Sequence, residues 1–472
     1  MTLPGVTVSS ASSGPSSTPP TDTGKWFVVG MTEQGPLDSA VSIRNMADYA
    51  RLLGARVAYG TLYDSLETFF AEGGSEAIVG RVGGPSPVKA SGNLSDGSGT
   101  TLVARAKYAG DYGNTLSVVT TVPGAGTFQF AVRISGVVVE TSPVLNTVAE
   151  AQSWASTTSQ YVDFTVSGAN DPVAATTSLS GGTDDHSNAT ETQWAAAIAL
   201  FTKDKGPGQV SAPGRTTLTT QTALLAHSAA NNRVALLDTA DSATVSTHTS
   251  QAASLRALST ARYGGLFGPW AVVPGLTPGT TRTVPYTAVQ AGLTARLDAL
   301  GANANAAAAG VNGRARFATG LSQAAWTDTD RETLNDAGVN VARVINSVPE
   351  TYGYRTLVNG VADSTWLDLG NARLNMQIAA GAFAIGERFV FRQATARTAA
   401  EFGAAIAAEI LSPLYGADAL YGDSPSDAYS VDIGSQVNTD TTLGQGKLNA
   451  AVTVRMSRNA ELVTITITKE IN

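Results

Sequence analysis

The last thirteen residues, AELVTITITKEIN, set the strongest constraint in the chain. Val463, Ile465 and Ile467 fall on one side and Thr464, Thr466 and Thr468 on the other. Period-two alternation of β-branched residues predicts a strand with one buried face. It stops a few residues short of the C-terminus, where chains fray unless tied down. Such a strand needs a sheet to join, and an unpaired edge of this kind invites another chain.

The residues before it supply candidate neighbours. In KLNAAVTVRM, Leu448, Ala450, Val452, Val454 and Met456 alternate with polar positions, and DAYSVDIG reads as a further strand. Two long helical stretches precede them, at 366–389 and 395–414. Together they predict a helix-backed sheet with one polar face.

Further upstream the texture is α/β. KWFVVGM reads as a buried strand, followed by a helix in which Met46, Tyr49, Ala50 and Leu53 share a face and Gly54 marks the stop. Leu62, Leu66, Phe69 and Phe70 line a second helix ended by a Gly pair, and EAIVGRV is the next strand. Between residues 83 and 182, five short β-type runs separated by turn residues predict a small all-β insertion. The α/β alternation resumes after Thr190, with a helix opened by Pro285 and closed near Gly301.

The expected class is therefore α/β and α+β multidomain. An N-terminal arm and linker (1–24) precedes a central α/β domain (25–82 plus 190–350). An inserted β domain occupies 83–189 and a C-terminal α+β domain 351–472. The linker is rich in Ser, Pro and Thr and cannot bury enough apolar surface to fold. Val6 and Val8 ahead of it read either as a strand on a tether or as part of a disordered tail.

Charged residues make up only 14% of the 472, against roughly 25% in a typical soluble domain. Either a compositional bias or a surface covered by copies of the same chain accounts for this. The net charge of −8 with no basic run argues against nucleic acid and anionic membrane as partners. There is no cysteine, which removes disulfides and thiolate chemistry. The N-terminus lacks the pattern of a signal peptide and no apolar run is long enough to span a bilayer, so a soluble protein made in the cytoplasm is expected.

Catalytic patterns are absent from the sequence. Asp184 and Asp185 flank His186, but neighbours on a loop point different ways, and the segment reads as a solvated turn. There is no G-x-S-x-G elbow and no Walker A loop. No catalytic, cofactor-binding or metal-binding residue is expected, and no enzyme.

Several of these stretches, in this order, resemble the tail sheath proteins of contractile phage tails and related injection machines. They are PGVTV, the block from WFVVGM to ARLLG, LYDSLETFFAEGGSEAIVGRV, AKYAGDYGNTLSV, LSGGTDD, QVSAPG, RVALLD, TAVQAGLTARLDALG, YGYRTL and the closing sheet. The family's exit turn often ends Asp-Gly where Asp185 stands here, and the linker after Ser10 is long. The resemblance implies a homo-oligomer of stacked six-fold rings, helical around an inner tail tube and bounded by baseplate and tail terminator proteins. It also implies assembly in a bacterial cytoplasm into a virion, and contraction without a nucleotide. By the same implication the insertion faces outward, and Val6, Val8, Val463, Ile465 and Ile467 lie on arms that add strands to neighbouring subunits. Arg392 and Arg397, at the start of the 395–411 helix, become tube-facing candidates; Ala407, Ile410 and Leu411 equally suit a helix backing the closing sheet. The alternative is another self-assembling surface protein, such as an S-layer or adhesin-like subunit, favoured by low charge and the β module.

Overall fold

The computed structural model describes residues 23–323, 325–360 and 364–461. Val6 and Val8, and the closing alternation with Val463, Ile465 and Ile467, lie outside these residues. The class is mixed α/β with several sheets.

The chain opens with β1 (Trp26–Gly30), β2 (Val41–Ile43), α1 (Met46–Leu53), α2 (Leu62–Glu72) and β3 (Ala77–Arg81). Next come β4 (Ser91–Ser95), β5 (Thr100–Ala106), β6 (Leu116–Gly124), β7 (Thr127–Ile134), β8 (Val137–Thr141), α3 (Val148–Thr157), β9 (Val162–Val166) and β10 (Ala175–Ser178). The α/β pattern then runs through α4 (Glu191–Ala199), β11 (Gln209–Ser211), α5 (Leu218–Asn231), β12 (Val234–Asp238), α6 (Val245–Arg256) and β13 (Gly264–Gly268). After it lie β14 (Ala271–Pro274), β15 (Thr281–Val284), α7 (Tyr286–Ala299), β16 (Gly320–Leu321), α8 (Asp328–Asp336), β17 (Val339–Ile345) and β18 (Val348–Thr351). The described chain closes with α9 (Leu369–Glu387), α10 (Ala396–Ile406), β19 (Tyr429–Asp432) and β20 (Ala451–Val454).

The largest sheet has the order β18-β17-β13-β12-β11-β1-β3-β2. Its centre is parallel, with Trp26 opposite Gln209, Val210 opposite Ala235, and Leu266 opposite Val339. Parallel strands are covered on both faces, which is why WFVVG, VALLD and GGLFG are buried throughout instead of alternating. The apolar stretch LFGPWAVVPG is divided between two strands. β13 ends at the cis peptide Gly268–Pro269, and β14 starts a separate antiparallel sheet with β15 and β16.

Two units divide the chain. Of the described residues, 23–28, 64–78 and those from 201 to 461 form the first; Val29–Tyr63 and Val79–Leu200 form the second. In the first, the Trp26 ring lies 4.9 Å from Phe69 and its Nε1 donates to Ser211 Oγ at 2.8 Å. The helix carrying Phe69 ends at the Gly pair because a side chain there has no room. A Cβ on Gly74 would stand 2.3 Å from the Phe69 ring. Beside that turn Glu72, fully buried, accepts the backbone N–H groups of Arg316, Phe317 and Ala318 at 2.8, 2.9 and 3.1 Å, with Arg296 Nη1 at 3.4 Å.

The second unit contains the insertion. Its sheets are β10-β6-β7-β8 and β4-β5-β9, and Phe128, Phe130 and Val132 of β7 point into a core shared with Trp154 and Phe164. Phe130 and Phe164 meet edge-on at 4.8 Å, a favoured aromatic geometry. The insertion is not all β. Helix α3 packs there, its N-terminus capped by Thr147, whose hydroxyl accepts from Glu150 N at 3.2 Å. Glu150 in turn accepts from Asn146 N at 2.8 Å.

At the end of the described chain, β19 and β20 form a two-stranded antiparallel sheet, Tyr429 opposite Val454 and Asp432 opposite Ala451. Ala450, Val452, Val454 and Met456 pack against buried Ile406, Leu411 and Leu414, so the expected alternation sits on the expected helices.

Candidate functional sites

Two places gather chemistry-bearing side chains. The first lies in the second unit, where the insertion begins and ends. Gly84 N donates to Asp184 O at 2.8 Å, Ser86 N to Asp185 Oδ2 at 2.9 Å, and Val88 and Thr183 form a bridge. Asp184 is buried, not solvated. Its Oδ1 sits 2.7 Å from His186 Nδ1, and its Oδ2 accepts from Tyr59 OH at 2.7 Å. The His186 ring stacks on Tyr59 at 3.5 Å and 7°. This corrects the solvated-turn reading. The side chains of Asp184 and His186 converge because Tyr59, distant in sequence, supplies the partner that closes the turn.

The electrostatics follow from that burial. Burial works to raise the Asp184 carboxyl, yet the hydrogen bonds from Tyr59 and His186 outweigh it and leave it below its ordinary value. Burial and the facing carboxylate push the Tyr59 phenol well up. Beneath them the Arg81 guanidinium donates to the carbonyls of Gly35 at 2.8 Å and Ala109 at 2.7 Å. Asp111, Asp184 and His186 bring one donor atom each within 4.8 Å of one another, a spacing that could hold a metal ion. Both Asp184 oxygens are already spent on protein hydrogen bonds, and a two-carboxylate, one-imidazole set suits many divalent cations equally. The arrangement works as it stands as a latch across the two ends of the insertion.

The second place is the turn between α9 and α10, in the first unit. Arg392 and Arg397 are brought together by one carboxylate. Glu401 pairs with Arg392 Nη2 and accepts from Arg397 Nε at 3.2 Å. Those hydrogen bonds, Arg392 first, hold the Glu401 carboxyl below its ordinary value. Arg388 Nη2 donates to both oxygens of Glu409 at 2.7 and 2.8 Å. Arg397 remains 91% exposed. Phe389 turns inward, its ring 5.1 Å from Phe402 and 4.7 Å under the Arg392 guanidinium. Phe391 turns outward, 88% exposed with φ of +65°.

The core-backing reading of this helix holds for one of its faces, since Ile406 and Leu411 are buried and Ile410 packs on them. The arginines stand on the exposed side. The structure brings the two expected candidates, Arg392 and Arg397, together on Glu401; neither Glu401 nor Phe391 was among the expected residues. The signal available was RFVFR, two aromatics bracketed by arginines just past a helix end.

No helix among the described residues is long and apolar enough to cross a membrane. No family model matches the sequence, and no curated protein matches it. Solved structures do. The sheath tail protein of Listeria innocua matches with a TM-score of 0.66 at 15% identity, over 92% of this chain and 95% of that one. The sheath tail protein of Desulfitobacterium hafniense gives 0.61 at 14%, over 90% and 93%. The helical sheath of the anti-feeding prophage in its contracted state gives 0.58 at 17%, over the whole of both chains. Identity this low speaks to architecture: the chain has the fold of the contractile tail sheath proteins.

Proposed function

We propose that this chain is the structural subunit of a contractile sheath, stacked as six-fold rings in a helical tube around an inner tail tube. The observation that carries the reading is end-to-end coverage of both chains in the match to a contracted helical sheath. The partners are other copies of the chain, the inner tube, a baseplate and a tail terminator. The particle is a phage tail or a related injection device, made in the bacterial cytoplasm, and the subunit has no catalytic role. The arm and linker (1–24), central domain (25–82 plus 190–350), outward insertion (83–189) and C-terminal domain (351–472) are its working parts. Arg392 and Arg397 face the tube.

Sheath interfaces of this kind are heterologous and propagate instead of closing. The segments carrying Val6 and Val8, and Val463, Ile465 and Ile467, add strands to sheets of neighbouring copies. The two-stranded β19–β20 sheet is the natural acceptor, because an edge that short gains most from a third strand. Contraction then switches one lattice packing for another. About 1 kcal/mol per subunit around one ring of six already matches the roughly 5.5 kcal/mol that drives a two-state equilibrium from 1:99 to 99:1.

Negative-stain microscopy of the purified chain tests this. Hollow or striated helical tubes are expected. A monomer that persists at high concentration overturns the reading.

A further inference from the structure

Within the second unit the insertion is a body of its own. Every residue of its core lies between Ala90 and Leu179, so that core closes on itself. None of its strands or helices packs substantially against β2, α1 or α4, the elements of this unit outside it. Bodies joined without a shared apolar interface move relative to one another by default, so something else must fix the angle.

The chain crosses between the insertion and its support twice, side by side. It enters through Gly83 and Gly84 and leaves through Asp185, whose φ of +56° is left-handed. A Cβ on Gly84 would stand 1.9 Å from the Asp185 carbonyl oxygen, so the entering segment passes the leaving one only as glycine. Two adjacent crossings define one axis, and hinges are a few residues of this kind that absorb the change in φ and ψ. The contacts that hold the angle are polar. Tyr59, on the support, donates to Asp184 and stacks on His186. Arg81, at the end of β3, donates to the carbonyls of Gly35 and Ala109, one on each side of the neck. Hydrogen bonds such as these exchange for water at a small net cost, unlike a packed apolar face.

We propose that the insertion swings as a rigid body about the Gly83–Gly84 and Asp185 crossings, with the Tyr59 hydroxyl as the catch that holds one orientation. A force or contact acting on the insertion then selects between the held and the released orientation. The proposal does not depend on the sheath reading, because every residue it uses lies in this unit.

The chain has no cysteine, so spin labels can be placed at chosen positions. Ala50→Cys in α1 and Ala125→Cys at the turn between β6 and β7 are both exposed. Double electron–electron resonance between labels there is expected to give one narrow distance in the otherwise unchanged chain. Tyr59→Phe keeps the ring over His186 and removes only the hydroxyl. It is expected to add a second, separate distance while hydrogen exchange in β6 and β7 stays at the parent's rate. A distance distribution identical to the parent's overturns the proposal. Faster exchange in β6 and β7 also overturns it, because the insertion then unfolds instead of swinging. If Tyr59→Phe fails to fold, the labelled parent in urea below its unfolding midpoint decides the matter. The second distance is expected to appear before β6 and β7 lose protection, and simultaneous loss overturns the proposal.

Discussion

Single buried charges show how tightly this low-charge chain uses the few it has. Glu72 receives three backbone N–H groups and Arg296, so it ties the end of α2 to the 316–318 segment. A neutral side chain there leaves donors and a cation without an acceptor. Glu72→Gln is therefore expected to cost roughly 3 kcal/mol, read as a lower urea midpoint with the fold intact by circular dichroism. His227 predicts a pH dependence. Burial first, and then Arg233, whose Nη1 lies 2.8 Å from His227 Nε2, push the imidazole down to about 3. The unfolded chain binds that proton near pH 6.5 and the folded chain does not, so stability is lost as pH falls below 6.5. This group alone is expected to cost up to about 2 kcal/mol between pH 7 and pH 5. His227→Gln keeps an acceptor for Arg233 and cannot titrate. Urea midpoints at the two pH values are expected to converge in that variant relative to the parent.

Elements in this fold are made by local patterns wherever the pattern is periodic, and by distant partners wherever it is not. Helix α3 tests the local half. Its cap is one hydroxyl, so Thr147→Ala frees Glu150 N and is expected to cost about 1 kcal/mol, speeding hydrogen exchange of the α3 amides about fivefold. The T-x-x-E spacing that marks this helix was readable in the sequence, but the surrounding β-type runs suggested an all-β insertion. Strand β7 was legible because Phe128, Phe130 and Val132 alternate with outward residues. Strands β4 and β10 were not, because SGNLS and ATTS carry no apolar periodicity and pair through the backbone with neighbours already in place. The same division governs the sites. Arg392 and Arg397 could be picked out as charges at a helix start, but the outward Phe391 depends on a backbone conformation no composition reveals. The Asp184–His186 contact was misread because its third member, Tyr59, lies 125 residues away.

For the whole molecule, the question left by the closing alternation is whether its ladder partners belong to the same chain or to another. The two answers separate energetically. A strand of this length that pairs within its own subunit contributes cross-strand pairs of roughly 0.2–1 kcal/mol each, so its removal lowers the monomer's stability. A strand that pairs with a neighbour contributes nothing to the monomer and everything to the lattice. On the sheath reading, we propose the second answer. Ile406, Leu411 and Leu414 already have Val431, Val452 and Val454 packed against them. Deleting residues 463–472 is accordingly expected to leave the urea midpoint of the dilute chain unchanged and to abolish helical tubes in negative stain. Adding the deleted segment back as a separate peptide is expected to bind the truncated chain, because donor-strand pairing needs only an open edge and an extended partner. A truncated chain that is destabilised yet still polymerises would place the strand in its own subunit and take the connector role away from it.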